Sequence, residues 1–175
     1  MGRVNIRGLR KGNKMESKKN ILTYEGLTRY EDELQDLKVR RRKEVAQKIK
    51  EARELGDLSE NAEYDAAKDE QRDIEARIEE LEKILKNAEV VVEDEVDSNK
   101  INVGCKVKLL DVEYNEEIEY KIVGSSEADS LAGKISNESP VGKALIGAKK
   151  GSTVKVETDL GVIKYKVLAI EGSNK

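Results

Sequence analysis

The chain contains no histidine, and this absence removes a large part of enzyme chemistry. Its 175 residues also include one cysteine and neither tryptophan nor phenylalanine. Without histidine, the sequence excludes a serine or cysteine nucleophile activated by a histidine base, and any histidine-ligated metal site. Because Cys105 is the only cysteine, an internal disulfide is excluded, and the composition suits a reducing cytoplasm.

Long apolar runs are missing as well. No segment approaches the roughly 20 apolar residues of a membrane span, and the first 20 residues lack the apolar stretch of a signal peptide. We therefore expect a soluble, cytoplasmic protein without a membrane partner. Aromatic residues make up only 3% of the chain and charged residues 39%, which argues against one large core and favours two domains.

Charge is distributed unevenly along the chain. Residues 1–19 carry seven Lys or Arg against one Glu, so the overall net charge of −3 leaves −9 for residues 20–175. A protein that binds duplex DNA in bulk would not be this acidic. We interpret residues 1–19 as a basic N-terminal arm, either disordered or an addition to the natural chain, and assign it no function.

Two long segments, residues 24–55 and 60–87, have the pattern of amphipathic helices. Their apolar residues recur at spacings of three and four, the heptad rule for a seam that faces another helix. In the first segment the stripe resumes eight residues after Leu37, beyond a run of cations that is typical of a solvated helix face. Gly56 can end the first helix in a left-handed conformation, and the short connection makes the helices antiparallel neighbours. The seam positions are Leu27, Tyr30, Leu34, Leu37, Val45, Ile49 and Ala52, then Ala67, Gln71, Ile74, Ile78, Leu81 and Leu85.

A compact acidic tip, residues 56–64, lies between the two segments. From Glu54 to Ala67 there are five acidic residues and no Lys or Arg, a density that helix capping alone does not require. Asp57 followed by Glu60 fits a capping box, the preferred interpretation in an anonymous hairpin. The same spacing can also present both carboxylates on one side of a turn, as Mg²⁺ binding needs.

The C-terminal half of the chain has the pattern of short strands. After an acidic connector, residues 89–99, apolar and polar residues alternate with period two, and eight of the 13 glycines fall between Gly104 and Gly172. Ser139 and Pro140 open a short helix as its cap and first residue. The predicted fold class is therefore α+β. Its parts are an antiparallel coiled-coil helical hairpin over residues 20–88 and a small antiparallel sheet domain with one short helix over residues 100–175.

Three stretches of this sequence resemble the bacterial Gre transcript-cleavage factors. They are the tip string Asp-Leu-Ser-Glu-Asn-Ala-Glu-Tyr at residues 57–64, Leu-Thr-Tyr-Glu-Gly-Leu at residues 22–27, and Ser-Pro-Val-Gly-Lys-Ala-Leu-Ile-Gly at residues 139–147. The three occur in the family's order, and the resemblance extends over about residues 20–170. It implies an N-terminal coiled-coil hairpin and an FKBP-like C-terminal domain.

The resemblance implies a transcription elongation factor that acts on bacterial RNA polymerase. The sheet domain would dock at the rim of the polymerase secondary channel, and the hairpin would reach the nascent RNA 3′ end in a backtracked complex. Asp57 and Glu60 are then the candidates for holding a Mg²⁺ shared with the polymerase active site, and only in that complex. The free chain would bind no cofactor tightly, would be a monomer, and would stimulate RNA cleavage without being an enzyme itself.

Further candidates follow from the same resemblance. Asn61 and Tyr64 would support the tip, and Lys68 and Arg72, one helical turn apart, would contact RNA phosphates. The candidates for docking to the polymerase are Asp129, Ser139 and Pro140.

Two alternatives remain open from the sequence. One is a regulator that enters the same channel without promoting cleavage; its DksA type is disfavoured because it resembles a Cys-rich zinc protein. The other is a structural adaptor in which the hairpin is only a spacer, and it predicts that substitutions in the tip have no effect.

Overall fold

A long helical hairpin forms the first part of the chain in the computed structural model, which describes residues 19–54, 62–91 and 99–172. The side chain of Thr23 caps the first arm by accepting a hydrogen bond from the Gly26 amide at 3.0 Å. The arms are the predicted antiparallel neighbours. Their elements are β1 (Asn20–Leu22), α1 (Tyr24–Asp36), a π-helical segment (Leu37–Arg41), α2 (Arg42–Glu54), α3 (Ala62–Lys86) and β2 (Ala88–Val90).

The predicted seam is the hydrophobic core of the hairpin. Full burial of one such side chain contributes about 1.5–3 kcal/mol, so the seam rather than helix propensity holds the arms together. Gln71 and Leu85 are half-buried at its margins. The buried seam residues are Tyr30, Val45, Ile49, Ala52, Ala67, Ile74, Ile78 and Leu81.

The π-helical segment absorbs the irregular spacing of the first stripe. A heptad seam advances seven residues in two turns, whereas this stripe advances eight from Leu37 to Val45. The amide of Arg42 donates to the carbonyl of Leu37, five residues back. A π turn holds one residue more than an α turn, so the extra residue is taken up and the stripe stays on the seam. Leu34 and Leu37 pack against the buried clusters on both sides of the segment.

Several cations in and after this segment pair with acidic residues of the opposite arm. Arg42 contacts Glu75 at 2.5 Å, and Glu70 accepts from Arg41 at 2.8 Å and from Lys48 at 2.6 Å. Arg41 and Arg42 of the run that we predicted to be a solvated face therefore bridge the arms, whereas Arg40 is more than half exposed and pairs with Asp36 and Glu44 of its own arm. Periodicity along one helix carries no information about charges on its partner.

Acid is expected to lower the thermal midpoint of the hairpin. The hydrogen bond from Lys48, with the charges of Lys48 and Arg41, lowers the pKa of Glu70 below 4.5, and Arg42 does the same for the pKa of Glu75. A lowered folded-state pKa stabilises the fold above the unfolded-state pKa, and this stabilisation is lost as the pH falls through the folded value. Far-UV circular dichroism melts should show the midpoint falling between neutral pH and about pH 3. The fall should be smaller in the Glu70→Gln/Glu75→Gln double variant, and an equal fall would contradict this assignment.

A five-stranded sheet forms the second part of the chain. Its elements are β3 (Lys106–Asp111), β4 (Glu116–Val123), a 3₁₀ turn (Ser125–Glu127), β5 (Lys134–Ser136), α4 (Pro140–Leu145), β6 (Thr153–Thr158) and β7 (Gly161–Glu171). The strands lie in the order β5-β4-β3-β7-β6. Alternate residues of its strands face a short helix, α4, and enclose a core that includes Cys105, Leu109, Leu145 and Val167. None of the helices in the described residues is long and apolar enough to cross a membrane.

The α+β fold class is confirmed, with one strand that differs from the expected pattern. All neighbours in the sheet are antiparallel except β5, which pairs in parallel with β4 through Lys121↔Lys134. The 3₁₀ turn and the loop after it carry the chain back before β5 begins, and parallel pairing needs such a return. A second, two-stranded sheet joins β1 to β2 in parallel at the base of the hairpin, so Glu89 and Val90, the first residues of the predicted connector, belong to a strand.

Candidate functional site

The far end of the hairpin is described up to Glu54 and again from Ala62. Asp57, Glu60 and Asn61 lie outside the described residues. Below them, Ala52 and Ala67 are buried at 2% and 5% exposure, so small side chains bring the two arms close together. Tyr64, in the first turn of α3, lies with its ring centroid 5.8 Å from the guanidinium carbon of Arg53 on α2. This cation–π contact joins the two helices next to the tip.

The described end of the hairpin is rich in carboxylates. Glu63 and Asp65 occupy the first turn of α3, where the helix dipole favours negative charge. On α2, Glu51 accepts from Gln47 at 2.8 Å. Carboxylate oxygens are the ligands that Mg²⁺ prefers, and without histidine and with Cys105 in the sheet core, no softer ligand competes at this end. The donor set therefore fits Mg²⁺, although no cluster in the described ranges forms a metal site by itself.

Lys68 and Arg72 lie on α3, one turn apart and two to three turns from its start. Lys68 donates to Gln71 at 2.7 Å, and Arg72 pairs with Asp69. The Arg72 side chain is 75% exposed. Residues four apart share one helix face, so a single strand of phosphates can contact both cations.

The three docking candidates lie at the two ends of β5. The backbone of Asp129 forms an isolated β-bridge with Lys134, the first residue of the strand, and the Asp129 carboxylate accepts from the amides of Leu131 and Ala132 at 3.1 and 3.3 Å. After the strand, Ser139 caps α4: its hydroxyl accepts from the amide of Gly142 at 3.0 Å and donates to the carbonyl of Ser136 at 2.7 Å.

Pro140 follows at the first helical position and is exposed, as the sequence predicted for a helix opening. The structure thus brings Ser139 and Pro140 together, and places Asp129 beyond the other end of a three-residue strand.

Two features near these candidates were missed from the sequence. Leu131 is fully exposed at the tip of the loop that Asp129 holds, an apolar side chain next to a docking candidate. Glu127 is a buried carboxylate, only 7% exposed, at the junction of the hairpin and the sheet domain. Its partner, Thr23, lies 104 residues away in sequence, so no local pattern could have indicated the contact.

Comparison with known proteins covers both parts of the chain. A family model described as "Transcription elongation factor, N-terminal" matches residues 20–90, and one described as "Transcription elongation factor, GreA/GreB, C-term" matches residues 87–172. Transcription elongation factor GreA of Lachnoclostridium phytofermentans is 74% identical over 160 residues, which cover 91% of this chain and all of that protein. GreA of Caldanaerobacter subterraneus subsp. tengcongensis is 58% identical, and the match covers 88% of this chain and 98% of that protein.

Similar solved structures include GreA factor homolog 1 (Gfh1) of Thermus thermophilus. It is 33% identical, with 89% of this chain and all of that chain covered, and the TM-score is 0.41. A GreA/GreB factor from Nitrosomonas europaea is 21% identical. The match covers 87% of this chain and 98% of that chain, and the TM-score is 0.39.

The chain combines a helical hairpin that has an acidic end with a small sheet domain, and the two family models together match residues 20–172. These features define a transcription elongation factor. The chain belongs to the GreA/GreB family, and its relatives place it with the GreA type. It therefore stimulates RNA polymerase to cleave backtracked RNA. The polymerase is the catalyst, and this chain is not.

Proposed function

We propose that the two parts of the chain divide this activity between docking and chemistry. The sheet domain, residues 100–175, binds bacterial RNA polymerase at the rim of its secondary channel, and the hairpin, residues 20–88, carries the tip to the nascent RNA 3′ end. The supporting observation is the length of the hairpin. Residues 24–54 at about 1.5 Å each extend roughly 45 Å, farther than a small domain is wide.

At the tip, Asp57 and Glu60 supply carboxylate ligands to the polymerase active site. Mg²⁺, when bound there, stabilises the attacking and leaving oxygens of the displacement that cleaves the RNA. Asp57 would be the metal-proximal ligand and Glu60 its partner, while Asn61 and Tyr64 would support the tip. Two carboxylates without phosphate or polymerase ligands make an incomplete shell, so the free protein holds no metal tightly.

Lys68 and Arg72 attract the phosphates of the extruded RNA. Lys68 is hydrogen-bonded to Gln71 and Arg72 is paired with Asp69, both within α3. An exposed ion pair such as that of Arg72 contributes little stability, so phosphates can replace its partner at small cost. The attraction weakens with salt because counterions compete for the same phosphates.

Docking uses the edge of the sheet domain at β5, where Asp129, Ser139 and Pro140 lie and where Leu131 adds an exposed apolar contact. This surface is about the length of the hairpin away from the tip, so binding and chemistry can be lost separately. The protein acts as a monomer in the cytoplasm, where the polymerase works.

A competition experiment tests this division. The sheet domain, expressed alone as residues 99–175, is expected to compete with the whole protein for RNA polymerase and to promote no cleavage in stalled elongation complexes. Its separate hydrophobic core supports independent folding, and circular dichroism of the fragment provides the folding control. A folded fragment that fails to compete at concentrations where the whole protein saturates would contradict docking by this domain.

The whole protein is tested in the same assay. Release of short RNA fragments from stalled complexes is the expected result. Binding without release of RNA would instead identify a noncleaving regulator of the same channel, and indifference to every substitution in the tip would identify a spacer.

A further inference from the structure

The hairpin is fastened to the sheet domain through one buried carboxylate. Glu127 ends the 3₁₀ turn after β4, and its oxygens accept from the backbone amide of Thr23 at 2.8 Å and from the Thr23 hydroxyl at 2.5 Å. The same hydroxyl accepts from the amide of Gly26. A carboxylate of the sheet domain therefore lies at the start of the first helix of the hairpin, where the helix dipole favours an anion.

Two glycines make this approach possible. A Cβ at Gly26 would lie 2.8 Å from Oε2 of Glu127 and still closer to the other carboxylate oxygen, so the carboxylate would have to move from its position against Thr23. A Cβ at Gly124 would meet the backbone carbonyl of Ile21. The hairpin and the sheet domain thus fit together at this junction only because both positions lack side chains.

Further contacts fix the direction in which α1 leaves the junction. Glu25, in its first turn, pairs with Lys121 of β4 at 2.5 Å. Tyr30, about two turns along, donates from its hydroxyl to the carbonyl of Ser126. Anchors at residues 23, 25 and 30 span about 10 Å of helix axis, which restrains tilt as well as position.

Small errors at this junction become large errors at the tip. Over about 45 Å, a tilt of about 5° displaces the far end by roughly 4 Å. A misplacement of about 1 Å can lower the rate of a catalysed step on the order of 100-fold. Docking is insensitive to the same tilt because its candidate residues lie on the sheet domain.

We infer that Glu127 is a positioning residue for RNA cleavage, acting through Thr23 and Gly26 to set the angle between the hairpin and the sheet domain. The inference rests on the proposed division of labour between docking domain and tip. Glu127 contacts neither RNA nor polymerase in this scheme, and the angle that it sets decides where the tip carboxylates lie.

The test compares Thr23→Val, which removes only the hydroxyl, with Thr23→Ser, which retains it, and with Glu127→Ala. Maximal cleavage at saturating factor should fall about tenfold or more in Thr23→Val and Glu127→Ala. The half-saturating concentration should stay within about twofold, and Thr23→Ser should cleave like the parent. Glu117→Gln, which breaks an exposed pair on the outer face of the sheet, is the matched control and should change neither quantity.

A measurement on the free protein separates this inference from the proposed function. Spin labels at Lys50→Cys and Lys155→Cys, in a Cys105→Ala background, report the distance between hairpin and sheet domain. The distribution of distances between the two labels should broaden in Thr23→Val and stay narrow in Thr23→Ser. Unchanged maximal cleavage, or reduced cleavage with an unchanged distribution, would overturn the inference. If the parent protein does not cleave, the proposed function fails and the distance data still report whether the junction is rigid.

Discussion

Asp57→Asn is expected to abolish stimulated cleavage of backtracked RNA and to leave polymerase binding nearly unchanged. Asparagine preserves the shape of the side chain and its ability to cap a helix, so the charge is the main property lost. Losing one preorganised electrostatic contact to a transition state typically lowers a rate on the order of 100- to 1000-fold. Cleavage rates in backtracked complexes at limiting Mg²⁺ measure this loss, and competition with the unaltered protein measures binding.

The matched control is Asp73→Asn, which removes one exposed carboxylate from the middle of α3 and should cleave normally. Glu60→Gln should behave like Asp57→Asn, because both carboxylates belong to the proposed ligand set. If the acidic pair only caps the second helix, both variants will be active. Full cleavage by Asp57→Asn at limiting Mg²⁺ would rule out its role as a metal ligand.

Gly142→Ala is expected to weaken polymerase binding strongly. Gly142 lies in α4 directly against β5, and a Cβ there would come within 3.0 Å of the carbonyl carbon of Ser136 and nearer to its oxygen. Because the obstacle is backbone, α4 must move away from the strand and take Ser139 and Pro140 with it. Overpacking of this kind costs about 1–3 kcal/mol, and competition binding should show roughly a tenfold loss.

Gly172→Ala is the control, since a Cβ at Gly172 meets open space. Thermal melts distinguish a displaced helix from an unfolded domain. Pro140→Ala, at an exposed position, tests the surface without altering the packing beneath it. Normal polymerase binding by both Gly142→Ala and Pro140→Ala would show that docking does not use α4.

The sequence predicted those features that depend on neighbouring residues. The hairpin, its seam and the capped helix at Pro140 all follow from spacings within about seven residues, and the structure confirms them. The extra residue between Leu37 and Val45 was visible as an irregular spacing. Its accommodation by a π turn was not predicted, because that depends on an opposite arm, α3, whose heptads are regular.

Contacts between distant segments could not be predicted in this way. The parallel pairing of β5 depends on the path of the preceding loop, and the contact of Glu127 with Thr23 joins residues 104 apart. Gly26 and Gly124 could have indicated a close approach of another segment, since both lie near secondary-structure boundaries and neither is needed for a turn. For the site, the sequence alone proposed Asp57 and Glu60, and that assignment stays a prediction.

The single π turn gives the hairpin one possible alignment. Two uniform heptad stripes can pair equally well after one slides past the other by seven residues, since every repeat offers the same surface. Here the irregular turn occurs once, and its neighbours Arg41 and Arg42 match Glu70 and Glu75 only in the observed stagger. A slip by one heptad would bring a like charge against one of these cations in either direction, Arg77 opposite Arg41 or Lys68 opposite Arg42. The length of the hairpin is therefore fixed by the π turn and its ion pairs in the middle of the arm.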